Sequence, residues 1–193
     1  MKKIIKQILV TLGLTLALQG CIFVAGAAAG AAAIAVVYDH RTLHNIVKDT
    51  EIANRINEKI RRNTALRNEC HIEVTVFNRI VLLSGETPNQ AWKQQAEDIA
   101  RSVSEVVRVY NQLTIQEPTS SLTRTSDSWI TAKIKGEMLA TEDLKSSSIK
   151  VVTDNGVVYL MGIVNREQAD TAVDIARQVS GVEKVVKIFQ YKK

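Results

Sequence analysis

The feature that most restricts this 193-residue chain is that most of it is written twice. Ile52-Ala53-Asn54-Arg55-Ile56 aligns with Ile130-Thr131-Ala132-Lys133-Ile134, and Ile72-Glu73-Val74 with Ile149-Lys150-Val151. Val81-Leu82-Leu83-Ser84-Gly85 then meets Val158-Tyr159-Leu160-Met161-Gly162, and Ile99-Ala100-Arg101 meets Ile175-Ala176-Arg177. The offset drifts only from 78 to 77 to 76, so the chain carries two copies of about 69 residues, 48–116 and 125–193. Residues 117–124, with Pro118 and a Ser/Thr cluster, read as the linker. A duplicated unit this small fixes the fold class before any detail: two small domains of one design.

Each copy reads α-β-β-α-β. The first helix shows apolar residues four apart, Ile52, Ile56 and Ile60, then Ile130, Ile134 and Met138. Ser126 or Asp127 is the expected N-cap of the second copy's first helix. Two short alternating strands follow, joined in the second copy by Asn155-Gly156, a two-residue hairpin signal, and in the first by Asn78-Arg79. Gly85 and Gly162 close the second strand. A second helix carries Ala96 and Ala100, or Ala172 and Ala176, whose small side chains allow close packing on a sheet. The last strands are expected over Val106–Ile115 and Val182–Tyr191. The expectation is α+β: two three-stranded sheets, each with helices on one face and each only marginally stable alone.

The first residues have a different character. Lys2, Lys3 and Lys6 precede an apolar run, Ile8–Leu18, and Leu18-Gln19-Gly20-Cys21 follows. That sequence resembles the lipobox of bacterial lipoproteins. The resemblance implies a signal peptide over 1–20, cleavage before Cys21 and acylation of Cys21, with 21–47 as an Ala/Gly-rich tether. Ile22 rather than Asp after the cysteine implies sorting to the outer membrane, with the domains facing the periplasm. An uncleaved anchor is the alternative: Ile8–Tyr38 is long enough to span a bilayer, and Gly26 and Gly30 form a Gly-x-x-x-Gly pair. The formal charge of +5 is partly a leader effect. Without the three leader lysines 22 basic residues face 20 acidic ones, which is weak support for nucleic-acid binding. With Cys21 acylated, Cys70 has no intramolecular disulfide partner, and burial is the expected reason for it.

The repeat resembles the BON domain. The second copy carries Val158-Tyr159-Leu160-Met161-Gly162 on its second strand and Ala176-Arg177-Gln178-Val179-Ser180-Gly181-Val182 before its last. The first copy has Glu105 where the second has Gly181. A lipobox followed by two such domains is similar to the dual BON-domain lipoproteins of Gram-negative outer membranes. The resemblance implies a non-enzymatic protein that binds anionic phospholipid through the first helix of its second domain and supports outer-membrane integrity, at division sites among others. The alternative in another class is an interaction module that docks an envelope protease or outer-membrane assembly machinery.

Catalytic chemistry has little to stand on. His40, His44 and His71 are the three histidines, and no Gly-rich phosphate loop, Gly-x-Ser-x-Gly or Cys-x-x-Cys occurs. No cofactor or metal is expected. The informative contrast is between the two first helices. Beside the core stripe the first copy has Glu51, Asn54, Arg55, Glu58, Arg61 and Arg62, whereas the second has Trp129, Ala132, Lys133, Gly136, Leu139 and Ala140. Trp and Leu beside lysines suit a membrane interface. Trp129, Ile130, Lys133, Lys135 and Leu139 are therefore the candidate contacts for phosphatidylglycerol or cardiolipin. Ile130 also belongs to the core stripe. Packing of Trp129 on the first domain and docking of another protein remain open readings of the same residues.

Overall fold

The structure is a computed structural model that describes residues 43–118 and 121–192; Cys21 and the leader lie outside them. Arg41–Lys193 forms one compact unit. The first copy contains α1 (Leu43–Arg62), α2 (Thr64–Glu69), β1 (His71–Phe77), β2 (Ile80–Thr87), α3 (Gln90–Arg101), β3 (Arg108–Asn111) and β4 (Thr114–Ile115). The second contains α4 (Ser121–Ala140), a 3-10 turn over Ser146–Ser148, β5 (Ile149–Asp154), β6 (Val157–Val164), α5 (Arg166–Gln178) and β7 (Lys184–Tyr191). The α-β-β-α-β reading holds in both copies, with the short helix α2 added in the first. In each sheet the middle strand pairs antiparallel with the strand before it and parallel with the strand after it. The first copy's last strand is broken: Leu113, 1% exposed, turns into the core between β3 and β4, and β4 resumes the pairing with β2.

Each copy buries its own helix-facing core. Ile52, Ile56 and Ile60 of α1 meet Val81 and Leu83 of β2 and Ala96 and Ala100 of α3. Ile130, Ile134 and Met138 of α4 meet Val158 and Leu160 of β6 and Ala172 and Ala176 of α5. A third core joins the copies. Phe77, Ile80 and Leu82 point off the opposite face of the first sheet and pack against Val152, Tyr159, Met161 and Ile188 of the second. The layers are therefore helices, sheet, sheet, helices. The middle strands are not alternating, as expected, but apolar on consecutive residues, because both of their faces are buried. The marginal stability expected of an isolated copy is offset by this shared sheet-to-sheet core.

Polar contacts pin the seam. Asn78 Nδ2 donates to Gln190 Oε1 at 2.9 Å, and the Gly85 N–H donates to Asp154 Oδ2 at 2.6 Å. Gly85 has φ +109°, and a Cβ there would lie 2.1 Å from the His71 carbonyl oxygen, so only glycine fits. Burial lifts the Asp154 carboxyl above its usual range, and nearby Glu86, Asp127 and Glu73 lift it further against the Gly85 hydrogen bond. Tyr159, buried in the same seam, is pushed up to about 12 by burial and by Asp154.

Asp127 is not an N-cap. The helix begins at Ser121, inside the expected linker, and Asp127 lies in its second turn. Its carboxylate accepts the N–H groups of Asn155 and Gly156 at 2.8 and 2.9 Å. Asp49 does the same for Asn78 and Arg79 at 2.7 and 2.8 Å. All four turn residues have positive φ, between 48° and 72°, as a type I′ hairpin requires. Each first helix is thus clamped to the hairpin turn of its own sheet.

Candidate functional site

The first helix of each copy shows one face to its sheet and the other to water. On α4 the buried side is Ile130, Ile134 and Met138, at 2%, 0% and 1% exposure. Trp129 lies almost opposite them and is 55% exposed; Leu139, on the same side, is 76% exposed. Ala132, Gly136 and Ala140 fill the space between and are exposed. Lys133 pairs with Glu137 at 2.8 Å, both about half exposed, and Lys135 is exposed on the flank. Ile130 sits in the core, with a side-chain atom 3.1 Å from where a Cβ on Gly181 would be. It leaves the contact set and keeps only its structural role.

The same face of α1 is built otherwise. Arg55 pairs with Glu51 and Arg62 with Glu58, each at 2.5 Å and one turn apart. Three more contacts tie α1 to the turn after α3: Lys48 to Glu105 at 3.1 Å, Arg55 to Ser104 at 3.1 Å and Lys59 to Ser102 at 2.9 Å. The Lys48 ammonium holds the Glu105 carboxyl below its usual range. Glu105 has φ +73°, close to the +88° of Gly181, so the two copies share this backbone turn despite the different residue. One helix is dressed for water and for its own domain; its twin keeps one ion pair, Lys133 to Glu137, and otherwise presents Trp129, Leu139 and small side chains.

Two features were missed in the sequence. Asp49 and Asp127 stand at the repeat offset of 78, three positions before Ile52 and Ile130, and that coincidence was the available signal. Leu122, 80% exposed, joins the outward side of α4 once the helix is seen to start at Ser121. It stands seven residues before Trp129, two turns along the same face. Cys70 is half-buried against the first core rather than fully buried, and burial and Glu69 push its thiol up. A cleft of about 650 Å³ runs along the seam, between β1 and the edge formed by α4 and β5, with Glu73, Arg124, Asp127, Lys150 and Asp154 on its walls beside Val74, Val151 and Val152. Among the described residues no group of three His, Cys, Asp or Glu side chains could hold a metal ion, and no helix is long and apolar enough to cross a membrane.

Two α-β-β-α-β units define the architecture; Gly85 and Gly162, expected to close their middle strands, instead stand two residues before the strand ends, and the BON domain model matches residues 48–117 and 126–193. The chain belongs to the BON domain family. Among BON proteins it is similar to the outer membrane lipoprotein DolP of Haemophilus influenzae, 35% identical over 97% of this chain and 96% of that one. It is also similar to a 21 kDa hemolysin of Actinobacillus pleuropneumoniae, 34% identical over 79% of each chain. The osmotically-inducible protein Y of Escherichia coli matches at 29% identity over 73% of this chain and 71% of that one.

Proposed function

We propose that this BON protein is an outer-membrane lipoprotein, anchored by acyl chains on Cys21, that docks anionic phospholipid through the outward face of α4. Membrane integrity is the process it serves. The observation that carries this reading is the exposure of Trp129 and Leu139 on the side of α4 turned away from its core, where the twin helix carries ion pairs instead. The two sheets already join the domains, so the α4 face is not spent on inter-domain packing. Trp129 and Leu139 supply apolar burial, and Lys133 and Lys135 supply attraction to phosphate. Burying each apolar side chain is worth at most about 1.5–3 kcal/mol, and a lysine near an anionic surface roughly 1 kcal/mol, less for Lys133 beside Glu137. Such a contact is weak alone. It becomes effective when the anchor holds the domain at the bilayer. Cys21 stands 22 positions before Leu43, which allows a reach of at most about 75 Å.

The test uses residues 41–193 with vesicles containing phosphatidylglycerol or cardiolipin. Trp129→Glu abolishes co-sedimentation while the circular dichroism melt stays unchanged. Binding that survives this substitution contradicts the assignment. Docking of a protein instead of lipid would appear as vesicle-independent capture of an envelope protease or assembly component that Trp129→Glu abolishes.

A further inference from the structure

The outward face of α4 is longer, barer and less charged than its lysines suggest. At about 100° per residue, Leu122, Gly136 and Ala140 all fall within about 20° of Trp129 around the helix. Ala132 and Leu139 border that line, and Thr125 and Ser126 fill the turn between Leu122 and Trp129. The bulky apolar groups are thus isolated from one another by small side chains. Leu122 and Leu139 are separated by about 25 Å along the axis, more than one phospholipid headgroup covers. A Cβ on Gly136 would touch nothing within 4 Å, so no packing demand explains the glycine, and its effect is to keep the middle of the strip low. The charged residue nearest this line, Lys133, is engaged by Glu137 at 2.8 Å. Lys135 lies about 120° away from Trp129, at the border of the face.

Such a surface draws less from phosphate charge than from apolar burial: Lys133 is shared with Glu137, and Lys135 stands at the border. Its affinity must come from inserting separated side chains into apolar depth, and insertion needs room between headgroups. Strongly curved or loosely packed bilayers offer that room, and flat, tightly packed ones do not. The span fits a bilayer surface met lengthwise better than a pocket for one lipid molecule.

We infer that α4 reads lipid packing: Leu122, Trp129 and Leu139 enter gaps between headgroups, so that docking follows membrane curvature more steeply than anionic content. This rests on the reading of α4 as the lipid-docking helix. It adds Leu122 as an anchor and names what kind of bilayer is selected.

The experiment titrates residues 41–193, the compact unit that contains all three apolar cores. Trp92→Phe leaves Trp129 as the sole indole. Four vesicle preparations are compared: small sonicated and large extruded, each with and without phosphatidylglycerol. The emission shift of Trp129 reports partitioning. The expected result is about tenfold tighter partitioning into small than into large vesicles at equal composition, against about fivefold for adding phosphatidylglycerol at equal size, the contribution of one lysine. Leu122→Ser removes most of the size preference and leaves the melting temperature unchanged. Equal partitioning into both sizes, or a larger response to charge than to curvature, overturns the packing inference and leaves lipid docking standing. An undiminished size preference in Leu122→Ser overturns the assigned anchor geometry. No emission shift with any vesicle sinks the lipid reading and this inference together.

Discussion

The helices α1 and α4 occupy the same place in two copies of one fold, and almost everything they do toward the core is identical. Both seat three apolar residues at four-residue spacing, and both clamp a hairpin turn with an aspartate three residues before the first of them. They differ on the side the core does not constrain. There α1 carries ion pairs and ties itself to a neighbouring turn, while α4 presents Trp129 and Leu139 to solvent. The lesson is that duplication supplies an internal control. Residues alike in both copies hold the fold, and a difference confined to an exposed face is free to carry function.

That division can be tested from both ends. The largest effect is expected where the copies are joined. Leu82, 0% exposed in the sheet-to-sheet core, when replaced by Ala should cost about 2–5 kcal/mol. Calorimetry should still show one transition, because each copy relies on the other's sheet; two separated transitions would mean that the copies fold independently. Next come the clamps. Asp127→Ala leaves two part-buried turn N–H groups without their carboxylate and should cost about 1–2 kcal/mol, with faster amide exchange at Asn155 and Gly156. Asp49→Ala should cost as much in the first copy and leave vesicle binding unaffected, which sharpens the difference between the two helices.

Smaller effects follow on stability. Gly136→Ala should raise it by about 0.5–1 kcal/mol, since the helix gains propensity and the new methyl meets nothing. An unchanged urea midpoint would show that the glycine is not a stability cost. Asp154→Asn keeps an acceptor for the Gly85 N–H and removes a charge from the seam. Because the Asp154 carboxyl is lifted, the folded protein holds that proton more tightly than the unfolded chain does. The corresponding stabilisation is full below the ordinary carboxylate range and is lost as pH rises through the lifted value. The substitution should therefore raise the melting temperature by a few degrees at neutral pH and by less in acid. A lower melting temperature at neutral pH would mean that the charged form of the hydrogen bond outweighs desolvation.

Much of this was legible in the sequence for physical reasons. Four-residue spacing reports a buried helix face directly, and Asn155-Gly156 reports a turn that needs positive φ. Asn78-Arg79 makes the same turn without a glycine, and only the repeat suggested it. The sheet-to-sheet core was the main thing missed. Its trace was present: Ile80-Val81-Leu82-Leu83 and Val157–Val164 are apolar on consecutive residues, the pattern of a strand covered on both faces. Read as alternating, they hid the second face. The helix start at Ser121 was missed because Ser and Thr there resemble a linker, and with it went Leu122. The Asp127 clamp was misread as a cap because the chemistry is the same, a carboxylate accepting backbone N–H groups. Only the fold shows that the groups belong to a hairpin 28 residues away.

On the proposed reading the outward face, and not the fold around it, confers docking. Transplanting the face tests it most directly. Trp129→Glu with Leu139→Arg removes the face from α4, and Glu51→Trp with Arg61→Leu installs it on α1 in the same protein. The first pair alone should abolish binding to phosphatidylglycerol vesicles and the four substitutions together should restore it, with the melting temperature within a few degrees of the parent throughout. A folded four-fold variant that does not bind would mean that the outward face is not what docks.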